Sequence, residues 1–200
     1  MIKRLFDIIF SIIGLILLLP FLVIIAVLIK LDSKGSPIFQ QTRVGKHKKD
    51  FKIFKFRTMH LDSHKKGLLT LGNNDVRVTK IGRFLRRYKI DEFPQLLNIF
   101  IGNMSFVGPR PEVRKYVAFY SEEDDIIFTI KPGITDNASV VFKSEAELLK
   151  ASKTPETYFI DTILPEKLIL QKKYVKHHNL LIDINIILKT CVAIFVKKSS

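Results

Sequence analysis

Residues Leu5–Ile29, LFDIIFSIIGLILLLPFLVIIAVLI, form one long apolar run with Pro20 near its middle. As a single helix the run would extend about 37 Å, more than the roughly 30 Å hydrocarbon core of a bilayer. A cleavable signal peptide is disfavoured, because Lys30-Leu31-Asp32 follows where small residues would have to stand. A straight span meets two obstacles. Pro20 removes a backbone hydrogen bond and bends the helix. Both flanks are also basic, with Lys3 and Arg4 on one side and Lys30, Lys34 and a strongly basic region on the other. If positive charge stays in the cytoplasm, both ends stay there. The expectation is therefore a re-entrant helix over residues 1–34 that returns to the face it entered from, with a simple span as its rival.

Outside that run, residues 35–200 suffice for one domain with a real core. The chain carries a formal charge of +14 over 200 residues. Between Gln41 and Ile90 fifteen Lys and Arg face three acids, Asp50, Asp62 and Asp75. A field so concentrated collects phosphates, whether of nucleotides, nucleic acids or lipid headgroups, unless it is simply a solvated basic surface. Cys191 is alone, which excludes a disulfide framework and a thiolate metal cluster, and reads as a small buried hydrophobe. The histidines show no metal-ligand spacing; His60 and His64 are four apart, but Gly67 and the surrounding Lys argue for a loop, and Leu61–Asn74 as a whole is loop-like. Neither a Walker loop nor a dinucleotide fingerprint is present, so bound ATP or NAD has no support.

Ile38–Gln41 and Asp50–Phe56 read as strands around a Val44–His47 turn, giving a small basic hairpin that offers Arg43, Lys55 and Arg57 to a phosphate. Thr79 is placed to cap a helix from Lys80 to about Lys89, with Ile81, Phe84, Leu85 and Tyr88 as its buried stripe. Asp91 then stands at or beside the cap of a second helix, whose stripe would be Phe93, Leu96, Leu97 and Phe100. Acids at helix starts commonly serve capping alone. Here, however, a free helix start, nearby Arg and an adjacent Glu92 make a site where a carboxylate can attack phosphorus or hold Mg²⁺. Gly108-Pro109-Arg110-Pro111 stiffens the backbone around Arg110, whose fork suits a phosphate or a structural carboxylate. Further on, Glu122–Asp125 reads as a solvated helix end, Ser144–Ser152 as an amphipathic helix, and Pro155–Tyr174 as helix broken at Pro165. In Leu180–Val196, Asp183 and Thr190 continue a seven-residue polar stripe from Lys176 to Lys197 beside a wide apolar face, suited to the membrane interface.

Several blocks carry a resemblance. Lys55-Phe56-Arg57-Thr58-Met59, Asp75–Gly82, Asp91–Asn98, Gly102–Pro111 and Lys131–Thr135, followed by Asp183, occur in an order similar to the bacterial sugar transferases. These are the monotopic polyprenyl-phosphate phosphoglycosyl transferases, here of the small single-domain type. The resemblance implies an α+β, mostly helical fold with a re-entrant membrane helix, a small basic hairpin and amphipathic interfacial helices. It implies Mg²⁺ dependence and transfer of a sugar 1-phosphate from a UDP-sugar to undecaprenyl phosphate, through a phosphosugar on Asp91. The site it implies comprises Asp91 and Glu92 as catalytic and metal residues, with Arg110, Lys55, Arg57 and Arg86 as phosphate ligands. Localisation follows as the bacterial inner membrane, catalytic domain on the cytoplasmic face. Expected partners are the bilayer, another copy of the chain and downstream glycosyltransferases, and no nucleic acid. Two positions depart from the family pattern: Leu19-Pro20 replaces Ser-Pro, and Asp136-Asn137-Ala138-Ser139 replaces a Gly-led, Gln-containing segment. Two other function classes compete, a noncatalytic scaffold subunit of a polysaccharide assembly machine and a membrane-tethered binder of anionic ligands.

Overall fold

The apolar run folds as one helix, α1 (Ile2–Asp32), with Pro20 inside it. A computed structural model of the chain describes residues 1–61, 63, 69 and 75–195. His64, most of the loop expected between Leu61 and Asn74, and Lys197 lie outside them. At 1.5 Å per residue α1 is about 46 Å long, yet neither end stands away from the protein. Its first turn reaches the last helix, where Lys3 pairs with Asp183 and also donates to Tyr174 Oη and the Val107 carbonyl. Its last turn is gripped by Arg57, whose Nη2 donates to Ser33 O at 2.7 Å while Nη1 donates to Lys34 O. Between the ends, Asp7, Ser11, Leu18, Leu22, Ile25 and Ile29 recur at helical spacing and face the body of the protein. The opposite side of α1, from Ile2 to Leu31, is apolar and exposed.

Strands β1 (Ile38–Val44) and β2 (Asp50–Phe56) pair antiparallel, as the hairpin reading requires. Arg57 follows β2 directly, which is why it reaches the end of α1. Helix α2 (Lys80–Arg87) begins at the expected cap, Thr79 Oγ1 accepting from Gly82 N–H at 3.0 Å. A Cβ at Gly82 would lie 2.1 Å from the Thr58 carbonyl, so only glycine lets α2 sit against the end of the hairpin. After α2 come a tight 3-10 turn (Ile90–Glu92) and α3 (Gln95–Ile101). Asp91 is thus one turn ahead of α3 rather than at its cap. Strands β3 (Ser105–Val107) and β4 (Gly133–Thr135) pair in parallel, with α4 (Arg114–Val117) and a 3-10 stretch (Glu122–Thr129) between them. Helices α5 (Asn137–Val141), α6 (Glu145–Ala151), α7 (Pro155–Tyr158), α8 (Leu164–His177) and α9 (Leu180–Phe195) complete the fold. Pro165 does not separate two helices; a π-helical segment, Phe159–Ile163, joins α7 to α8 and absorbs the missing donor. The acidic run is not wholly solvated, since Asp124 is buried and closes a capping box with Ser121.

Helices α3 and α9 bury polar side chains and leave apolar ones exposed, and α2 leaves an apolar one exposed at one position. In α3 the buried face carries Gln95, Leu96, Asn98 and Ile99, while Leu97 and Phe100, expected inside, are 42% and 43% exposed. Phe84 of α2 is likewise exposed, against expectation. In α9 the polar stripe points inward, Asp183 to Lys3 and Tyr174, and Thr190 to Thr135 at 2.7 Å. Leu181, Leu188 and Val192 point out, as does Cys191, which is no buried hydrophobe. Apolar periodicity found α2 and α3 but placed Phe84, Leu97 and Phe100 inside with Leu85 and Leu96, which are buried as expected, whereas the wide apolar face read for α9 is the exposed one. The polar face is buried where it has partners: Asn98 accepts from Phe54 N–H at 2.9 Å and donates to Lys52 O at 2.7 Å, stitching α3 to β2.

Asp183→Asn should remove the ion pair joining α1 to α9 while preserving side-chain shape. A loss of about 2 kcal/mol corresponds to a Tm drop of roughly 4–8 °C in a chain this size, readable by thermal unfolding in detergent.

Candidate active site

Lys89, two residues ahead of Asp91, adopts a left-handed conformation with φ of 58°. A residue with a Cβ held there stores about 1 kcal/mol. The conformation reverses the chain after α2 and turns both following carboxylates inward, so that Asp91 and Glu92 are each 7% exposed. Lys55 Nζ and Arg110 Nη2 both donate to Glu92 Oε1 at 2.7 Å. The four residues come from the hairpin, the 3-10 turn and the segment after β3. Burial alone would raise the Glu92 carboxyl, but Arg110 and Lys55 outweigh it and hold it well below the usual carboxylate range. Asp91 is shifted the other way, upward, first by burial and then by the charge of Glu92. Its Oδ1 is buried and accepts no hydrogen bond among the described residues. Lys55, Lys89 and Arg86 supply the positive field around it.

Arg110 is itself placed by several contacts. Its N–H donates to Asp136 Oδ2 at 3.1 Å, and Gly108 upstream packs backbone to backbone on Gly133, with no room for a side chain on either. Asp136, fully buried, also accepts from Ser139 N–H and Gln171 Nε2. The departure at Asp136 is thus a structural link between α8 and the Arg110 segment. Behind it, Glu112 accepts from Arg43 at 3.2 Å and lies 3.5 Å from Lys167, which reaches Glu145 at 3.0 Å. Arg43 and Lys167, opposed by burial, hold the Glu112 carboxyl below its ordinary value.

Of the residues expected from sequence, Asp91, Glu92, Lys55 and Arg110 meet in one cluster. Arg86 and Arg57 line the same cavity of about 2200 Å³. Arg57 does so with both terminal nitrogens committed to the end of α1. Arg43 supports the cluster through Glu112. Gln171 and Lys167 escaped notice because they lie far along the chain in ordinary helical context, and Asp136 was marked only as a departure from the family pattern; only the proximity of Glu112 to Arg110 in sequence could have suggested Glu112. No group of three His, Cys, Asp or Glu side chains suited to a metal occurs among the described residues. Two adjacent carboxylates with one orphaned oxygen fit a hard cation that takes its remaining ligands from phosphates and water, as Mg²⁺ does.

A family model described as bacterial sugar transferase matches residues 1–197. The UDP-N-acetylgalactosamine-undecaprenyl-phosphate N-acetylgalactosaminephosphotransferase of Aeromonas hydrophila is 36% identical over 194 residues, covering 94% of this chain and 42% of that protein. The UDP-glucose:undecaprenyl-phosphate glucose-1-phosphate transferase of Klebsiella pneumoniae is 35% identical over 202 residues, covering 99% of this chain and 41% of that protein. A putative undecaprenyl-phosphate N-acetylgalactosaminyl 1-phosphate transferase of Bacillus subtilis is 49% identical over 111 residues, covering 56% of this chain and 62% of that protein. The chain spans about half the length of the curated relatives it matches.

The two carboxylates have opposite effects on folding. Because the folded state depresses Glu92, its charge stabilises the fold above the ordinary Glu range, and that stability is lost on acidification through the depressed value. Because the folded state raises Asp91, its charge opposes folding at neutral pH. Asp91→Asn should therefore raise Tm at pH 7, and Glu92→Gln should lower it, each by on the order of 1 kcal/mol. Thermal unfolding of the two variants in parallel checks the sign.

Proposed function

The chain belongs to the bacterial sugar transferase family, and on that premise we propose that it transfers a sugar 1-phosphate from a UDP-sugar to undecaprenyl phosphate. UMP is released, in the first membrane step of polysaccharide or glycoconjugate synthesis. One observation carries the chemistry: Glu92 is neutralised by Lys55 and Arg110, while Asp91 beside it keeps an oxygen without a hydrogen-bond partner in the positive field of Lys55, Lys89 and Arg86. In this mechanism Asp91 attacks the β-phosphorus. A P–O bond to the carboxylate forms, the bond to the bridging oxygen breaks, and UMP departs with the electron pair. A phosphate oxygen of undecaprenyl phosphate then attacks the same phosphorus, and Asp91 is released as carboxylate. Arg110 binds a diphosphate oxygen, and Lys55 and Arg86 complete the positive lining. Arg57 acts one step back, fixing the end of α1 against the site. Mg²⁺ held by Asp91 and Glu92 would offset the diphosphate charge.

The lipid acceptor sets where this site must lie. In the seating proposed here, α1 is re-entrant, its exposed face in the lipid together with the outer faces of α3 and α9, and the cavity opens at the cytoplasmic leaflet of the bacterial inner membrane. Support comes from the two ends of α1, both held against the same body although both are basic. In a Cys191→Ser background, Ile2→Cys and Ser36→Cys should both resist a membrane-impermeant thiol reagent in intact cells. Labelling at residue 2 alone would mean that α1 spans.

Asp91→Asn should abolish turnover and also the exchange of labelled UMP into UDP-sugar in the absence of lipid, since an amide cannot form the intermediate. Exchange that strictly requires the lipid would rule out the covalent route. Arg110→Ala should lower kcat/KM at least about tenfold through loss of a charge-assisted bond. Activity should fall on acidification at a pH above the ordinary Asp range, because the nucleophile must be ionised and Asp91 is shifted upward. Glu92→Gln should move that limb to lower pH by removing the neighbouring charge and freeing two cations, as a pH profile of kcat/KM would show.

A further inference from the structure

At the far end of α3 from the acid pair, two cations stand side by side. Arg4 has a structural reason to be there: Nη1 and Nη2 donate to the Ile99 and Phe100 carbonyls at 2.7 and 2.9 Å, capping α3. Lys131, in the segment leading to β4, has no such reason. It makes no ion pair with a carboxylate among the described residues. Yet Lys131 Nζ and Arg4 Nη2 lie 3.4 and 3.2 Å from the same point above Gly102, where a side chain would otherwise begin. Lys46 adds a third positive charge to the field at Lys131. The acid that faces it, Asp7, is 2% exposed and already accepts from Ser105 Oγ and Phe106 N–H. Burial, then the repulsion of Arg4, pushes the Lys131 ammonium down. An anion over Gly102 would convert that repulsion into two converging charge-assisted hydrogen bonds.

The surroundings say what kind of anion. Phe100 and Ile101 are 43% and 51% exposed on one side, and Ile2 and Leu5 of the first turn of α1 are 72% and 59% exposed on the other. Charge framed by outward-facing apolar side chains matches the depth at which lipid phosphates lie. Arg4, Gly102 and Lys131 do not line the cavity that holds Asp91. We infer that Arg4 and Lys131, above Gly102, form a binding site for the phosphate of an anionic phospholipid headgroup, separate from the catalytic cavity. The inference rests on the membrane seating proposed above and not on the chemistry at Asp91. Occupancy would tie the start of α1 and the end of α3 to the headgroup layer together.

The full chain in neutral detergent can be titrated with short-chain phosphatidylglycerol, short-chain phosphatidylcholine or inorganic phosphate, and binding followed by thermal shift. Phosphatidylglycerol should raise Tm saturably and the other two should not at equal concentration. Lys131→Gln, which leaves the Arg4 cap intact, should weaken the apparent affinity for phosphatidylglycerol about fivefold. Lys153→Gln, an exposed lysine between α6 and α7, should leave it unchanged. The inference is overturned if phosphatidylglycerol has no effect, if Lys131→Gln titrates like the unaltered chain, or if Lys153→Gln weakens binding equally. Inorganic phosphate that stabilises as well as the phospholipid would refute a lipid site in favour of a simple anion site. Insertion into neutral and anionic bilayers alike without preference would overturn this site alone, whereas insertion into neither would overturn the seating with it.

Discussion

Helices α1, α3 and α9 each turn polar side chains toward the body of the protein, and the arrangement of the rest follows from satisfying them there. A carboxylate or amide facing hydrocarbon is costly, so each must find a partner within the body of the protein. Asp7 finds Ser105 and the Phe106 amide, Asn98 finds both backbone groups offered by β2, and Asp183 finds Lys3 and Tyr174. These bonds join segments far apart in sequence. Those of Lys3 and Asp7 hold the first two turns of α1, Arg57 holds its last, and the outer faces of α1, α3 and α9 are left largely apolar.

The cluster of Lys55, Asp91, Glu92 and Arg110 is built on that frame. The hairpin positions Lys55 and, two residues later, Arg57, so that the strand carrying one cation of the site also clamps the end of the membrane helix. The strained turn at Lys89 directs Asp91 and Glu92 toward Lys55, while the Gly108–Gly133 contact and Asp136 bring Arg110 from the other side. One carboxylate is thereby consumed as the anchor of two cations, and its neighbour keeps an oxygen without a hydrogen-bond partner. Pairs of like groups whose surroundings drive their ionisation apart are how a site assigns different roles to two identical functional groups. The supporting chain from Arg43 through Glu112 to Lys167 extends this order to α8 without touching Asp91.

Much was legible in the sequence because it is local. The apolar run and its basic flanks, the hairpin, the Thr79 cap, the acid pair and the Gly-Pro-Arg-Pro segment each depend on residues close together in the chain, where periodicity, capping and turn chemistry operate. The same local rules located α3 and α9, yet pointed Leu97 and Phe100 of α3 the wrong way, since spacing identifies an amphipathic helix without saying what lies on each side of it; Cys191, read as buried from its apolar neighbours alone, is exposed on α9. Asp91 was likewise recognisable as an acid at the start of a helical segment, but not as a buried residue of a 3-10 turn one step ahead of α3.

The sequence by itself determined which side chains could do phosphate chemistry, because that depends on functional groups and on motifs confined to a few residues. Only the tertiary structure decided how they divide the work. Glu92 rather than Asp91 receives Lys55 and Arg110, Arg57 serves α1, Asp136 holds the Arg110 segment, and Lys131 meets Arg4 over a glycine. Each of these pairs is separated by tens of residues or more, and its energy depends on distance and burial, which the order of residues along a chain does not contain.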